Sequence, residues 1–229
     1  MRPIEEACYW LAALPKHEPR PLTAPATHDL VVLGAGLTGL WTAIFLKELD
    51  PSRDVAVVEQ GIAAYGASGR NAGMLAETID HTHGLAIQHF GAAEARRLAA
   101  LGEENAKELT DFIRTRSIAC DWEPSGRFMA SFTPAHLEEA QRNVDIAESL
   151  GIQTHRLLSK EEMQAEVHSP RYLGGLEVKG GGIMDPARFT DGLRKEAERL
   201  GVRVYERTQE TAVEEDGAGV RISANGAAI

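Results

Sequence analysis

Gly34, Gly36 and Gly39 have the spacing that suits phosphate binding, and Glu59 stands where an acid could read a hydroxyl. They sit in Asp29-Leu-Val-Val-Leu-Gly-Ala-Gly-Leu-Thr-Gly39, then an apolar run to Leu49, then Asp54-Val-Ala-Val-Val-Glu59. Gly34 permits a tight turn. Gly36 lacks a Cβ, so the backbone can approach a pyrophosphate, and Gly39 lets the next helix pack closely. Glu59, 20 residues past Gly39, can accept a hydrogen bond from a ribose 2′-OH and would repel a 2′-phosphate. Strand, glycine turn, helix, strand and acid in this order predict a dinucleotide site that disfavours NADP.

The elements that position these residues are legible from the same stretch. Leu30 to Leu33 form the apolar run expected of a parallel strand buried on both faces. A helix is predicted from about Leu37 to Leu49, with Leu40, Ala43, Ile44 and Leu46 among its apolar positions. Its N-terminus offers unpaired N–H groups and partial positive charge to a diphosphate. Asp50-Pro51 ends it, because proline disfavours helix in the residue before it. Val55 to Val58 make the second strand. FAD and NAD both suit this unit. The run Tyr65-Gly-Ala-Ser-Gly-Arg-Asn-Ala-Gly-Met74 adds N–H groups, a hydroxyl, a guanidinium and an amide. It could wrap a pyrophosphate and bring backbone against a flat ring; as chemistry alone it is equally a mobile surface loop.

Gly66 to Gly73 (GASGRNAG), following the glycine turn and its strands, resembles the D-amino-acid oxidase (DAO) family of FAD-dependent oxidoreductases. The similarity is closest to the γ-glutamylputrescine oxidoreductase branch. It continues through Cys120 to Phe128, through the segment from Ser159 to Glu206, and into Thr211-Ala212-Val213. The resemblance implies that Gly34, Gly36, Leu37, Thr38 and Gly39 meet the pyrophosphate and that Glu59 and Gln60 lie at the adenosine ribose. It implies that Ser68, Gly69, Arg70, Asn71, Ala72, Gly73 and Met74 run towards the isoalloxazine, and that the Val213 backbone meets the adenine. Some relatives tether the flavin through a histidine or cysteine; this loop holds neither, so non-covalent FAD is expected. The implied reaction is oxidation of a C–N bond in a small amine or amino acid by hydride transfer to flavin, with no catalytic residue identified. An NAD-dependent enzyme, and a flavin-binding subunit or inactive remnant needing a second chain, are the alternatives.

Composition agrees with these limits. At 229 residues and 43% hydrophobic, the chain can bury a substantial core. A net charge of −10 argues against nucleic-acid partners. No run is apolar enough to span a bilayer, and the N-terminus lacks a signal pattern. Cys8 and Cys120 suit a reduced, cytoplasmic compartment, with Cys120 a small core residue. His81, His83 and His89 are read as surface or substrate-side groups and not as metal ligands. The Glu103-Glu104 and Glu161-Glu162 pairs read as solvated helix faces. Arg70 is expected to contact phosphate or flavin, the competing reading being a brace for its own loop. Nothing here gives the oligomeric state.

The expected architecture is α/β: a Rossmann-like FAD/NAD(P)-binding domain with an incomplete mixed α+β substrate domain. Residues 1–28, punctuated by five prolines, read as a docked N-terminal arm with an apolar patch at Tyr9, Trp10, Leu11 and Leu14. Residues 29–80 are the FAD-binding βαβ unit and flavin loop, 81–185 a helical and substrate-domain segment, and 186–229 a return to the FAD-binding domain. Helix is predicted from about Leu85 to Arg116, broken near Gly91 and Gly102. Strands follow near Cys120–Glu123 and Arg127–Phe132. Thr133-Pro134 starts a helix stopped by Gly151, and Pro186 starts one ending at Leu200-Gly201. Strands near Val202–Glu206, Glu210–Glu215 and Val220–Ala224 come next, with turns at Asp216-Gly217 and Asn225-Gly226. Because Ala227 to Ile229 begin a partner strand and stop, the chain is expected to be the N-terminal part of a longer oxidase.

Overall fold

A computed structural model describes residues 3–78, 82–217 and 219–229. Along the chain come α1 (Ile4–Ala7), α2 (Tyr9–Ala12), β1 (Leu30–Leu33), α3 (Leu37–Leu49) and β2 (Val55–Val58). A 3-10 turn (Ala67–Gly69) leads to β3 (Met74–Leu75), α4 (His83–Thr115), β4 (Arg127–Ser131), α5 (Pro134–Ser149) and β5 (His155–Leu158). Then follow α6 (Lys160–Glu166), β6 (Gly174–Val178), β7 (Gly182–Ile183), α7 (Pro186–Arg199) and β8 (Arg203–Tyr205). β9 (Glu210–Asp216), β10 (Gly219–Ala224) and β11 (Ala227–Ala228) complete the order. The chain forms two compact units: residues 1–73, 116–121 and 185–229, and residues 74–115 and 122–184.

In the first unit β1, β2 and β8 make a parallel sheet in that order, with Val32 opposite Val57 and Val58 opposite Tyr205. β2 lies in the centre and is fully buried. β1 departs from the expected two-sided burial: it is half-buried, and Leu33 is 43% exposed. The cause is its edge position in this sheet, which leaves one side without a neighbouring strand among the described residues. α3 buries Leu40, Ala43 and Ile44 and stops at Asp50-Pro51 as predicted. Lys47, itself buried, donates from Nζ to the carbonyls of Pro51 and Arg53 and so closes the turn after the helix. α7 packs against α3 and buries Phe189, Leu193 and Ala197. The ring of Pro186 suits the first turn, and the Asp185 carboxylate accepts from the N–H groups of Ala187 and Arg188. β9, β10 and β11 form an antiparallel meander whose second turn, Asn225-Gly226, has positive φ at both residues (49° and 78°).

The N-terminal arm is docked, as expected. Leu11 and Leu14 pack with Ala64 and Ala187, and the Leu22 N–H donates to the hydroxyl of Thr208. Backbone bonds from Glu206 to Arg20 and from Ala26 to Ala228 tie the rest of the arm to the same unit.

The second unit holds an antiparallel sheet, β4-β6-β5, with α5 on one face through Ala140, Val144, Leu176 and Val178. Thr133 caps α5 by accepting from the His136 N–H, and Gly151, at φ 85°, follows its end. α4 breaks at Gly91 (φ 80°, ψ 163°) but runs on through Gly102, where the expected second break does not occur. The strand expected near Cys120–Glu123 is also absent. Asp121 takes φ 52°, outside strand geometry, and only a single bridge joins Glu123 to Ile183. α6 carries the Glu161-Glu162 pair read as a helix face, and Ser159-Lys-Glu-Glu162 starts it with a complete capping box that the sequence reading did not name. Glu162, read as solvated, is exposed but closes that box and pairs with Arg156.

Asp185→Ala removes the carboxylate oxygen that accepts from both the Ala187 and the Arg188 N–H groups at the α7 N-terminus. It is expected to cost about 1–2 kcal/mol in urea unfolding; unchanged stability would show that α7 is held by its packing alone.

Candidate cofactor-binding site

The turn between β1 and α3 has a backbone requirement at each glycine, and the three differ. Gly34 adopts φ 99°, a conformation side-chain-bearing residues rarely take, while its N–H donates to the Val58 carbonyl. A Cβ on Gly39 would lie 2.0 Å from the Gly34 carbonyl oxygen and 3.3 Å from Val32, so this glycine permits contact between helix and strand. A Cβ on Gly36 would lie 2.8 Å from the Ser68 hydroxyl. That hydroxyl accepts from the Leu37 N–H at 3.0 Å and so links the helix start to the loop. Gly36 itself provides no side-chain cap, and the first intrahelical acceptor is its carbonyl, taken by Leu40. First-turn N–H groups have no acceptor within a helix, so this end suits an anion.

Glu59 stands half-buried at the end of β2. One carboxylate oxygen accepts from the Ala35 N–H at 2.9 Å and the other from the Gly61 N–H at 2.8 Å. The acid thus clamps the glycine turn to the segment after β2, a role its spacing did not reveal. A carboxylate offers about four lone-pair sites, so two remain for a ribose hydroxyl. The next residue, Gln60, and Thr38 on α3 are both exposed.

Loop residues 66–73 fold back on themselves. A Cβ on Gly69 would lie 2.2 Å from the Ala64 carbonyl oxygen. Asn71 donates from its amide to the carbonyls of Ala67 and Ser68 and accepts from the Gly73 N–H. Arg70 donates to the Gly66 carbonyl and lies 5.9 Å from the centre of the Tyr65 ring, braced against its own loop with an exposed side chain. Ala72 is exposed and Gly73 buried with φ 74°. Met74 begins the second unit, paired with Ile183 in β3 and β7 and 73% exposed. Val213 lies in the meander opposite Ile222, 55% exposed, in a different sheet from the glycine turn.

Two contributors were missed. The indole N–H of Trp10 donates to the Asn71 carbonyl at 3.0 Å, which joins the arm to the loop. Thr190 on α7 donates to the Pro186 carbonyl and lies 3.5 Å from the Ser68 carbonyl oxygen. Neither has a local sequence signal, because each partner is remote in the chain. Among the histidines, His83 is half-buried beside His155, His89 is exposed, and His81 falls outside the described residues. Among the described residues no group of three or more acidic, histidine or cysteine side chains could hold a metal. None of their helices is long and apolar enough to cross a membrane. Cys120 is fully buried, as expected.

A parallel βαβ unit with this turn and acid defines a dinucleotide-binding protein, and the cradle fits a diphosphate and a ribose. The chain belongs to the DAO family of FAD-dependent oxidoreductases, whose family model matches residues 29–229. It is 32% identical over 221 residues to γ-glutamylputrescine oxidoreductase of Escherichia coli K12, covering 95% of this chain and 51% of that protein. It is 24% identical over 199 residues to sarcosine oxidase subunit beta of Rhodobacter capsulatus, covering 84% and 45%. Among solved structures, L-amino acid deaminase from Proteus vulgaris, lacking its specific insertion, superposes with a TM-score of 0.72 at 20% identity, over 93% of this chain and 53% of that one. L-α-glycerophosphate oxidase from Mycoplasma pneumoniae, with FAD bound, gives 0.71 at 20%, over 87% and 50%. These structural likenesses show the fold. The chain spans about half the length of the curated relatives it matches. FAD is the family's cofactor.

Glu59→Ala removes two charge-assisted hydrogen bonds and is expected to destabilise even the flavin-free protein, by roughly 1.5–3 kcal/mol in urea unfolding. Loss of flavin affinity without loss of stability would contradict the clamp. Trp10→Phe keeps the ring and removes the N–H; faster hydrogen exchange at the Gly73 amide is expected, and an unchanged rate would separate the arm from the loop.

Proposed function

We propose that this chain holds FAD without a covalent tether and serves the oxidation of a C–N bond in a small amine or amino acid. The observation that carries the reading is the clamped glycine turn, with Glu59 holding Ala35 and Gly61 beside a helix start whose N-cap residue, Gly36, provides no side-chain cap. In this reading the pyrophosphate lies against Gly34, Gly36, Leu37, Thr38 and Gly39, where N–H groups and the helix dipole favour negative charge. The free lone pairs of Glu59 take a ribose hydroxyl, with Gln60 alongside. Ser68, Gly69, Arg70, Asn71, Ala72, Gly73 and Met74 lead towards the isoalloxazine, and the Val213 backbone takes the adenine. The absence of histidine and cysteine from Ser68–Met74 supports a non-covalent flavin. Bound flavin supplies the acceptor for a hydride from the carbon beside nitrogen, giving an imine that water hydrolyses. This chain's own task is to hold, orient and shield the dinucleotide. The E. coli relative is a γ-glutamylputrescine oxidoreductase, which supports an amine of that kind as substrate.

A second reading, in which flavin binds but turnover awaits another chain, is favoured by the exposed edge of β1 and by Phe45 and Leu49, 52% and 85% exposed on α3.

Purified protein is expected to be yellow with flavin absorbance, and Gly36→Val to be colourless, since a branched side chain would enter the space of Ser68 and the diphosphate. Full flavin occupancy in that variant, or a colourless parent that binds NAD, would overturn the assignment. Flavin present without amine turnover, restored by a second chain, would select the subunit reading.

A further inference from the structure

A second carboxylate holds the backbone between Glu59 and the glycine-rich loop. Glu206 follows β8 as Glu59 follows β2, and its side chain is 4% exposed. One oxygen accepts from the Ala63 N–H at 2.6 Å, and the other meets the His17 Nε2 at 2.5 Å. A carboxylate only accepts, so the imidazole donates. The Glu206 N–H donates to the Arg20 carbonyl, and the Glu206 carbonyl accepts from the Thr208 hydroxyl that takes the Leu22 N–H. Arg194 of α7 feels the charge of Glu206 but directs Nε, Nη1 and Nη2 to Asp191 and Glu198. Among the described residues, His17 and Ala63 are thus the groups that hydrogen-bond this buried carboxylate.

What Glu206 holds is a strained turn. Ala64 takes φ 71°, in the left-handed region that favours glycine. Such a conformation persists only where its surroundings fix it. Here the Ala63 N–H is fixed by Glu206 and the Ala64 N–H by the Ala35 carbonyl, while Leu11 and Leu14 of the arm pack on Ala64. The Ala64 carbonyl oxygen in turn stands where a Cβ on Gly69 would be 2.2 Å away, so the turn sets the approach of the glycine-rich loop. Trp10 reaches the same loop at the Asn71 carbonyl. The arm therefore holds one run of backbone, residues 63–71, at three places: through His17 and Glu206, through Leu11 and Leu14, and through Trp10.

We propose, on the FAD reading above, that Glu206 is a positioning residue for the dinucleotide. Through His17 it couples docking of the N-terminal arm to the order of the glycine-rich loop, and the arm acts as a strap that slows cofactor release. If arm docking tightens cofactor binding, bound cofactor must hold the arm down by the same factor. An arm that only stabilised the fold would lack that reciprocity.

The test uses the whole chain, stripped of flavin and titrated with FAD, with the affinity and the release rate read from flavin fluorescence. Amide exchange at Leu22, in the arm, is followed with and without saturating FAD. His17→Ala leaves the bond from Ala63 to Glu206 in place and cuts the strap. It is expected to weaken FAD binding about tenfold, through faster release. FAD is expected to slow Leu22 exchange by a similar factor in the parent and by much less in His17→Ala. Glu206→Gln, whose amide can keep both hydrogen bonds, is expected to stay within about threefold of the parent, and Glu206→Ala to be weaker than His17→Ala. If Glu206→Ala does not fold, His17→Ala decides alone. Unchanged affinity and release rate in His17→Ala, or Leu22 exchange indifferent to FAD in the parent, would each overturn the strap while leaving the cofactor reading intact. A folded parent that binds no FAD would overturn both.

Discussion

The cradle depends on one carboxylate. By accepting from Ala35 and from Gly61, Glu59 ties the turn after β1 to the segment after β2, across two parallel strands. Without that tie, the turn would be held by the Gly34 to Val58 backbone bond and by the contact of Gly39 with its own strand. An acid there does two things at once. It satisfies two backbone donors in a half-buried place, and it keeps negative charge beside the position proposed for the ribose. The first is a stability requirement and the second a selectivity one, and a neutral residue could meet neither fully.

Around this clamp the rest of the first unit acts as scaffolding for a loop. Ser68 meets the start of α3, Thr190 reaches towards the Ser68 carbonyl from α7, and Trp10 holds the Asn71 carbonyl from the arm. Asn71 then distributes that restraint through its own amide to Ala67, Ser68 and Gly73. A glycine-rich segment with an exposed surface gains its order from contacts with three separate elements: the α3 backbone and the side chains of Thr190 and Trp10. This answers the ambiguity in its composition, because the same residues unsupported would read as a mobile loop.

What was legible in the sequence follows from the range of the interactions involved. The boundaries at Leu30–Leu33, Leu37–Leu49 and Val55–Val58 are set by local events: a glycine turn, an apolar period and a proline stop. Thr133-Pro134, Pro186 and Asn225-Gly226 were legible for the same reason. The Ser159 capping box is equally local, and it fixes the start of the helix whose exposed face carries Glu161 and Glu162. The pairing of β4 with β6 and of β6 with β5 depends on partners far apart in the chain, and short strands carry little pattern of their own. At the site, the glycines and Glu59 were found by spacing. The Glu59 to Ala35 arm of the clamp, the Ser68 hydroxyl on Leu37 and the Trp10 strut were not, since each joins residues at least 24 apart.

The central claim is that the first unit carries a preformed adenosine-diphosphate cradle whose acid selects against a 2′-phosphate. Calorimetric titration of the flavin-stripped chain with ADP and with 2′-phospho-ADP addresses it directly. One equivalent of ADP binding, displaced by FAD, with the 2′-phosphorylated analogue at least tenfold weaker (about 1.4 kcal/mol), is the predicted result. Equal affinity for both nucleotides, or no binding of ADP by folded protein, would contradict it.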